Sequence, residues 1–576
     1  MMAEIATKLD DEGPNLEKLS KRMIEIGIAL SAERNTDRLM ELILLEAKDI
    51  ANADGGTLYL MDEEEDALRF AIMRNDSLDI AMGGTTGVEI PFPPLKLNDP
   101  ETGEPNYTNN ATAVALRKES INIPDAYDAE EFDFSGTKAF DSRTGYRSMS
   151  FFTVPLINNA GSIIGVLQLI NSRSKSGRVV SFSEELQPFI EALASQAAVA
   201  LENSNLVRQQ RELLESFIEL IASAIDAKSP YTGGHCSRVP IITKMLAEAA
   251  CESDAGPYAE FDLDDEEWYE LHLAAWLHDC GKVTTPEYVV DKATKLETIY
   301  DRIHEIRMRF EVLRRDAEIE YLRKSKEEGA DEAALKSAFD QTCARLADEF
   351  TFIATHNIGG EFMPDEEIER MHEIGDQTWM RHYDNTLGVS WEETTRIGDT
   401  KPLPAMEKLL DDRPEHMVAE YNRGERYNLA VKRGTLTAEE RQKINDHISI
   451  TIEMLEQLPF PKHLRNVPEY AGGHHEKMDG TGYPRGLKGE DMSIPARMMA
   501  VADIFEALTA TDRPYKKSKK LSEALHIMKM MTEEHHIDPQ LFELFLKRGV
   551  YQRYADEYLD TAQIDEIDIS NYLPDS

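Results

Sequence analysis

The sequence predicts a multidomain chain, with an N-terminal α+β domain, a long helix, and a C-terminal half that carries the histidine chemistry. Three observations predict it. At 576 residues the chain exceeds one hydrophobic core and suggests about three to four domains of ~150 residues each. Early in the chain the apolar spacing changes from helical to alternating. All 15 histidines fall between His235 and His536, so imidazole chemistry belongs to the second half.

Composition narrows the function classes. With 41% hydrophobic and 30% charged residues the chain reads as globular, and no apolar run reaches the ~18 residues of a membrane span. The N-terminus lacks the basic-then-apolar pattern of a signal peptide, so a cytoplasmic protein is expected. Four cysteines, none in a CxxC pair, argue against a disulfide framework and a cysteine zinc site. A formal charge of −44 argues against direct DNA binding and an anionic-membrane surface. An anionic substrate needs metals or local cations to reverse that sign.

Residues 1–24 form a polar N-terminal segment. From Thr36, expected as an N-cap, Leu39, Ile43, Ala47 and Ile50 mark one face of a helix ending near Asp54-Gly55-Gly56. Residues 57–61 and 67–72 read as strands around an acidic turn, and 83–146 as a long irregular region. Two apolar runs, 151–157 and 162–171, flank the turn Asn158-Asn159-Ala160-Gly161 and predict a hairpin. A closing helix begins near Phe182, and from Glu184 to Lys228 the helical pattern hardly breaks. Leu206, Leu213 and Leu220 recur every seventh residue with Phe217 and Ala224 between, interrupted by Gln210. Two readings stay open, a parallel dimer linker over 206–222 and a buried intramolecular helix.

The order of these elements, with Gly165–Asn171 followed by Phe182-Ser183-Glu184-Glu185, resembles a GAF domain over roughly residues 25–205. The resemblance implies either a sensor of a small ligand or a purely dimerising domain. Nucleotide-binding relatives carry a lysine where Arg173 or Lys175 stands here and an aspartate where Glu184 stands, so a nucleotide ligand is not expected.

In the second half, His474-His475 stand at the head of the glycine-rich turn ending Gly482-Tyr483-Pro484. The turn leads into a predicted helix, 492–508, whose Asp503 lies among apolar residues. Burying an unpaired carboxylate costs several kcal/mol, so Asp503 needs a partner, and a metal is the one the histidines suggest. Upstream, His278-Asp279 are expected to close a helix that starts at the capping box Asp264 to Glu267 and ends at Gly281. Consecutive helix positions diverge by ~100°, so such a pair can reach two neighbouring ions with the carboxylate bridging them.

Together His235, His278-Asp279, His-His-Glu-x-x-Asp-Gly-x-Gly-Tyr-Pro from His474, Val501-Ala502-Asp503 and Asp512-Arg513-Pro514-Tyr515-Lys516 resemble the HD-GYP phosphodiesterases of the HD hydrolase superfamily. The resemblance implies an all-α C-terminal catalytic domain, 223–576, that uses two or three divalent ions, iron or manganese, to hydrolyse cyclic di-GMP to pGpG or GMP. Residue by residue it implies ligands His235, His278, Asp279, a lone helix histidine, His474, His475 and Asp503, with Asp279 bridging. Lys282 would stabilise developing charge, Arg513 and Lys516 would clamp the second phosphate, Tyr483 would shape the guanine pocket or the metal loop, and Arg485 is either a substrate contact or a solvated loop residue. Some members support a third metal with a glutamate four residues before the first histidine. Here Tyr231 stands there, so two metals are expected.

The chain departs from the compact pattern by an insertion over about 306–433, expected to be helical. Two histidines flanking it compete for the open ligand position. His304 sits one position off an apolar stripe, whereas His447 lies on the apolar face of a helix opened by the capping box Thr437 to Glu440 and is the expected ligand, with a core residue as the competing reading. His356, His372, His382 and His416 match no metal spacing. The leading expectation is a phosphodiesterase regulated by its GAF domain, dimeric through that domain and the linker helix. The partner class expected is a diguanylate cyclase or another signalling protein. The rivals are a silent receptor or scaffold docking through the GYP loop and an HD phosphohydrolase acting on another nucleotide.

Overall fold

The computed structural model describes residues 16–62, 64, 66–100, 102–228, 234–360, 362–399, 401–511 and 519–573. The chain divides into two compact units, Met1–Leu214 and Glu215–Ser576.

The first unit opens with α1 (Leu16–Ala32) and α2 (Thr36–Ala51). Asn35, not Thr36, caps α2 by accepting the Arg38 N–H, and the helix ends at Asn52 in the left-handed region, so Asp54-Gly55-Gly56 already belong to β1 (Ala53–Asp62). Then follow β2 (Ala67–Asn75), β3 (Ile80–Gly83), β4 (Leu95–Lys96), α3 (Asn110–Arg117), β5 (Ile121–Ile123), α4 (Ser135–Thr144), β6 (Phe151–Ile157), β7 (Ile163–Arg173) and β8 (Val179–Val180). The stretch 83–146 is thus not irregular throughout: Asn109 caps α3 by accepting the Ala111 and Thr112 N–H groups. The antiparallel sheet runs β3-β2-β1-β7-β6-β5, with β4 on β2 and β8 on β7.

Strand alternation sends Leu58, Phe152, Val154, Leu156, Leu167 and Leu169 to one face, where Ile43, Leu44 and Ala47 of α2 cover them. Tyr59, Val166 and Phe151 turn to the opposite face under α3 and the loops. Each large side chain buried this way contributes ~1.5–3 kcal/mol.

The closing helix, α5, is continuous from Gln187 to Lys228. Its Leu206, Leu213, Phe217 and Leu220 are exposed, so the expected alternative of a buried intramolecular seam is not realised on that face. Ile218, Ala222 and Ile225, on the opposite face, enter the core of the second unit.

That core is built by α6 (His235–Cys251), α7 (Asp265–Leu277), α14 (Ala438–Glu456), α15 (Val467–Gly472), α16 (Ile494–Thr509), α17 (Leu521–Glu533), α18 (Pro539–Lys547) and α19 (Val550–Tyr558). Between them an excursion forms its own core: α8 (Glu287–Val290), α9 (Ile303–Lys324), α10 (Glu332–Asn357), α11 (Asp365–Gly375), β9 (Thr378–Arg381), α12 (Trp391–Ile397), β10 (Ala405–Lys408), β11 (Met417–Val418), β12 (Tyr421–Asn422) and α13 (Glu425–Leu429). Its buried cluster already includes Leu296 and Ile303 and extends to Leu429. The insertion therefore starts before residue 306, and its two small two-stranded antiparallel sheets mean that it is not purely helical. A buried ion pair closes its base, with Lys292 Nζ 2.8 Å from Glu440 Oε2 on α14.

Candidate metal centre

The capping box Asp264–Glu267 starts α7 as expected. The helix stops at Leu277, with His278 at its C-cap and a 3₁₀ turn over Cys280–Thr284, instead of running to Gly281. The cause lies across the fold. The Gly281 N–H donates to Thr451 Oγ1 of α14 (2.9 Å), and a Cβ at 281 would lie 1.9 Å from the His447 carbonyl oxygen. Only glycine permits that approach, and it brings His447 to Asp279.

Asp279 occupies the middle of the cluster. Its Oδ2 is 3.0 Å from His235 Nε2, 3.2 Å from His278 Nε2 and 2.5 Å from Lys282 Nζ, while its Oδ1 is 3.1 Å from His447 Nε2. Asp503 Oδ1 lies 3.2 Å from His235 Nε2. The His278 and His474 rings are 4.9 Å apart, and His475 is 4.3 Å from His474 and 5.3 Å from His447. Two groups result, His235/His278/Asp279 and His447/His474/His475, the potential ligand atoms in each within 4.8 Å of one another.

The backbone orients the rings. Nδ1 of His278, His447 and His474 hydrogen-bonds the carbonyls of Ala275, Ile444 and Ala471, each three residues back, which leaves Nε2 pointing inward. Among the described residues, Nε2 of His447 and His474 and Oδ1 of Asp279 are buried and lack hydrogen-bond partners, an arrangement that fits a cation between them. Burial pushes His475 down to about 4, and burial with the neighbouring imidazoles holds His474 well below its ordinary range, so both are neutral with lone pairs free. Burial alone would raise Asp279, but Lys282 and His278 outweigh it and keep the carboxylate ionised. Imidazoles and carboxylates suit iron, manganese or zinc. The buried thiols of Cys236 and Cys280 are pushed up, Cys280 to about 11, and stay protonated.

The glycine-rich loop is tied to this cluster. Buried Glu476 accepts the Arg485 and Leu487 N–H groups (2.7 and 2.9 Å), and the Tyr483 ring stacks on His475 at 4.9 Å. A Cβ on Gly482 would lie 2.3 Å from the Lys477 nitrogen. The Arg485 guanidinium is instead 3.4 Å from Glu456. His304 is exposed on α9, stacked on Tyr300 and hydrogen-bonded to Arg307, and does not join the cluster. Tyr231, Arg513 and Lys516 lie outside the described residues.

Sequence reasoning missed Glu506. Its Oε2 is 2.5 Å from His235 Nδ1 and its Oε1 2.7 Å from Arg238 Nε. The available signal was a second carboxylate one helical turn after Asp503. Asp226 and Lys228 were missed too. Asp226 accepts the Gly234 N–H (2.9 Å), and Lys228 donates to the carbonyls of Lys282 (3.2 Å) and Val283, so the last turn of α5 holds the segments around both His235 and Asp279.

Two stretches of the chain match known families. Residues 35–201 match the GAF domain family and residues 404–541 the HD domain family. The second match spans His447, His474, His475 and Asp503, while His235, His278 and Asp279 precede it. The chain is 44% identical over 83 residues to 3'3'-cGAMP-specific phosphodiesterase 1 of Vibrio cholerae, covering 14% of this chain and 19% of that protein. It is 37% identical over 134 residues to a cyclic di-GMP phosphodiesterase of Thermotoga maritima, covering 22% and 36%. It is 51% identical over 79 residues to one of Pseudomonas aeruginosa, covering 14% and 18%. Each alignment thus spans well under half of the relative's own length. The chain carries a GAF domain followed, in its C-terminal half, by an HD domain.

Proposed function

We propose that the chain is a two-metal phosphodiesterase that hydrolyses cyclic di-GMP, giving pGpG or GMP. The observation that carries the reading is the Asp279 carboxylate, whose two oxygens face two separate histidine groups. His235, His278, Asp279 and Asp503 would hold one ion and His447, His474 and His475 the other, with Asp279 shared. Iron or manganese bound there would neutralise the phosphodiester's charge and activate water.

The chain's own residues do the rest. Neutral His474 and His475 offer lone pairs without first losing a proton. Lys282, ion-paired with Asp279, is assigned the role of stabilising charge on the leaving oxygen. Tyr483 packs over His475, and the family pattern assigns it to the guanine pocket or the metal loop. Arg513 and Lys516 are assigned the substrate's second phosphate on the family pattern. Regulation by the GAF domain is supported by the grip of Asp226 and Lys228 on the metal-bearing segments, and a homodimer by the exposed heptad positions of α5.

Relatives named for both cyclic di-GMP and 3'3'-cGAMP make the substrate the point to test. Turnover of a panel of cyclic di-GMP, 3'3'-cGAMP, cyclic di-AMP and nucleoside monophosphates, with products separated by chromatography, should show cyclic di-GMP cleaved fastest. Faster cleavage of a different nucleotide would refute that assignment.

A further inference from the structure

Three of the buried imidazoles obtain their orientation from the helix that bears them. His278, His447 and His474 each reach the carbonyl three residues back. His235 is the first residue of α6, so no earlier turn of that helix can supply a carbonyl. In its place stands Glu506, on α16, 1% exposed and 2.5 Å from His235 Nδ1. The other Glu506 oxygen is held by Arg238 Nε at 2.7 Å, and Arg238 lies one turn after His235 on α6. The opposite ring nitrogen, Nε2, faces Asp279 and Asp503 at 3.0 and 3.2 Å.

Resting on the metal-centre reading above, we propose that Glu506 is a positioning residue that makes His235 a stronger ligand than the other imidazoles, with Arg238 fixing the carboxylate's direction. A carboxylate accepting from Nδ1–H fixes the ring's tautomer and raises the basicity of Nε2 more than a neutral carbonyl does. The consequence is an asymmetric centre. The ring of His235 is oriented by a charged partner from a different helix, whereas those of His447 and His474 are oriented by backbone carbonyls of their own segments. The pairing also ties the start of α6 to α16, and so links His235 to Asp503, one turn before Glu506.

The test uses the full chain and Mn²⁺, with affinities read by competition against a chromophoric chelator and the metal-free melting temperature recorded beside them. Wild type should bind two Mn²⁺. Glu506→Gln, which keeps the shape and removes the charge, should weaken one of them ~10–100-fold and leave the other unchanged in a chain that still melts cooperatively without metal. Arg238→Gln should weaken the same ion by a smaller factor, and it carries the test if the first variant does not fold. Two ions bound with wild-type affinity in the folded variants, or both weakened equally, would overturn the proposal. A wild-type chain that takes up no Mn²⁺ would overturn the metal-centre reading itself.

Discussion

His447 Nε2 lies 3.1 Å from Asp279 Oδ1, on the far side of an insertion with its own hydrophobic core. The contact makes α14 part of the centre and leaves His304 outside it. His447→Ala should therefore cost one bound metal and more hydrolytic activity than the ~10–100-fold typical of losing an outer partner of a ligand. His304→Ala should keep wild-type rates and metal content. Steady-state kinetics on both variants check this, and the reverse pattern would contradict it.

Gly281→Ala should be severe although it adds one methyl. Its Cβ would meet the His447 carbonyl at 1.9 Å and Thr451 at 2.7 Å, so α14 must move away from Asp279. Overpacking of this kind costs at least ~1–3 kcal/mol. Chemical denaturation with metal analysis should show lower stability and lost metal together, and a wild-type melt would refute the contact.

Leu213 and Leu220 are 57% and 64% exposed on a helix whose opposite face is buried from Ile218 onward. If that stripe pairs with a second copy, Leu213→Glu should shift the chain from dimer to monomer in sedimentation. A wild-type monomer would remove the seam's purpose.

Lys295 is buried in the insertion, donating to the Leu429 carbonyl (2.9 Å), and burial pushes it down to about 8 from an ordinary 10.5. At pH 7 its charge is held at a cost, so Lys295→Met should stabilise the metal-free protein by about 1–3 kcal/mol. Between pH 8 and 10.5 the unfolded chain keeps a proton that the folded chain has lost. Wild-type stability should rise through that window and the variant's advantage shrink. A constant difference across it would contradict the assignment.

Much of this was legible in the sequence because period and motif are local signals. The hairpin at Asn158–Gly161, both capping boxes and the histidine pairs could be read from neighbouring residues. What escaped was set by distant contacts. The end of α7 depends on Thr451, the orientation of His235 on Glu506, and the insertion's boundary on Leu296 packing with residues far along the chain. His278, Asp279, Cys280 and Gly281 are weak helix formers, so the sequence placed an end nearby, and the contact with α14 sets it at Leu277.

The central claim is that Asp279 joins two metal positions. Elemental analysis of anaerobically purified wild type and Asp279→Ala, run beside cyclic di-GMP hydrolysis, tests it most directly. The account predicts about two iron or manganese per wild-type chain with pGpG or GMP released, and loss of both metal and turnover in the variant. Full activity in Asp279→Ala would contradict it.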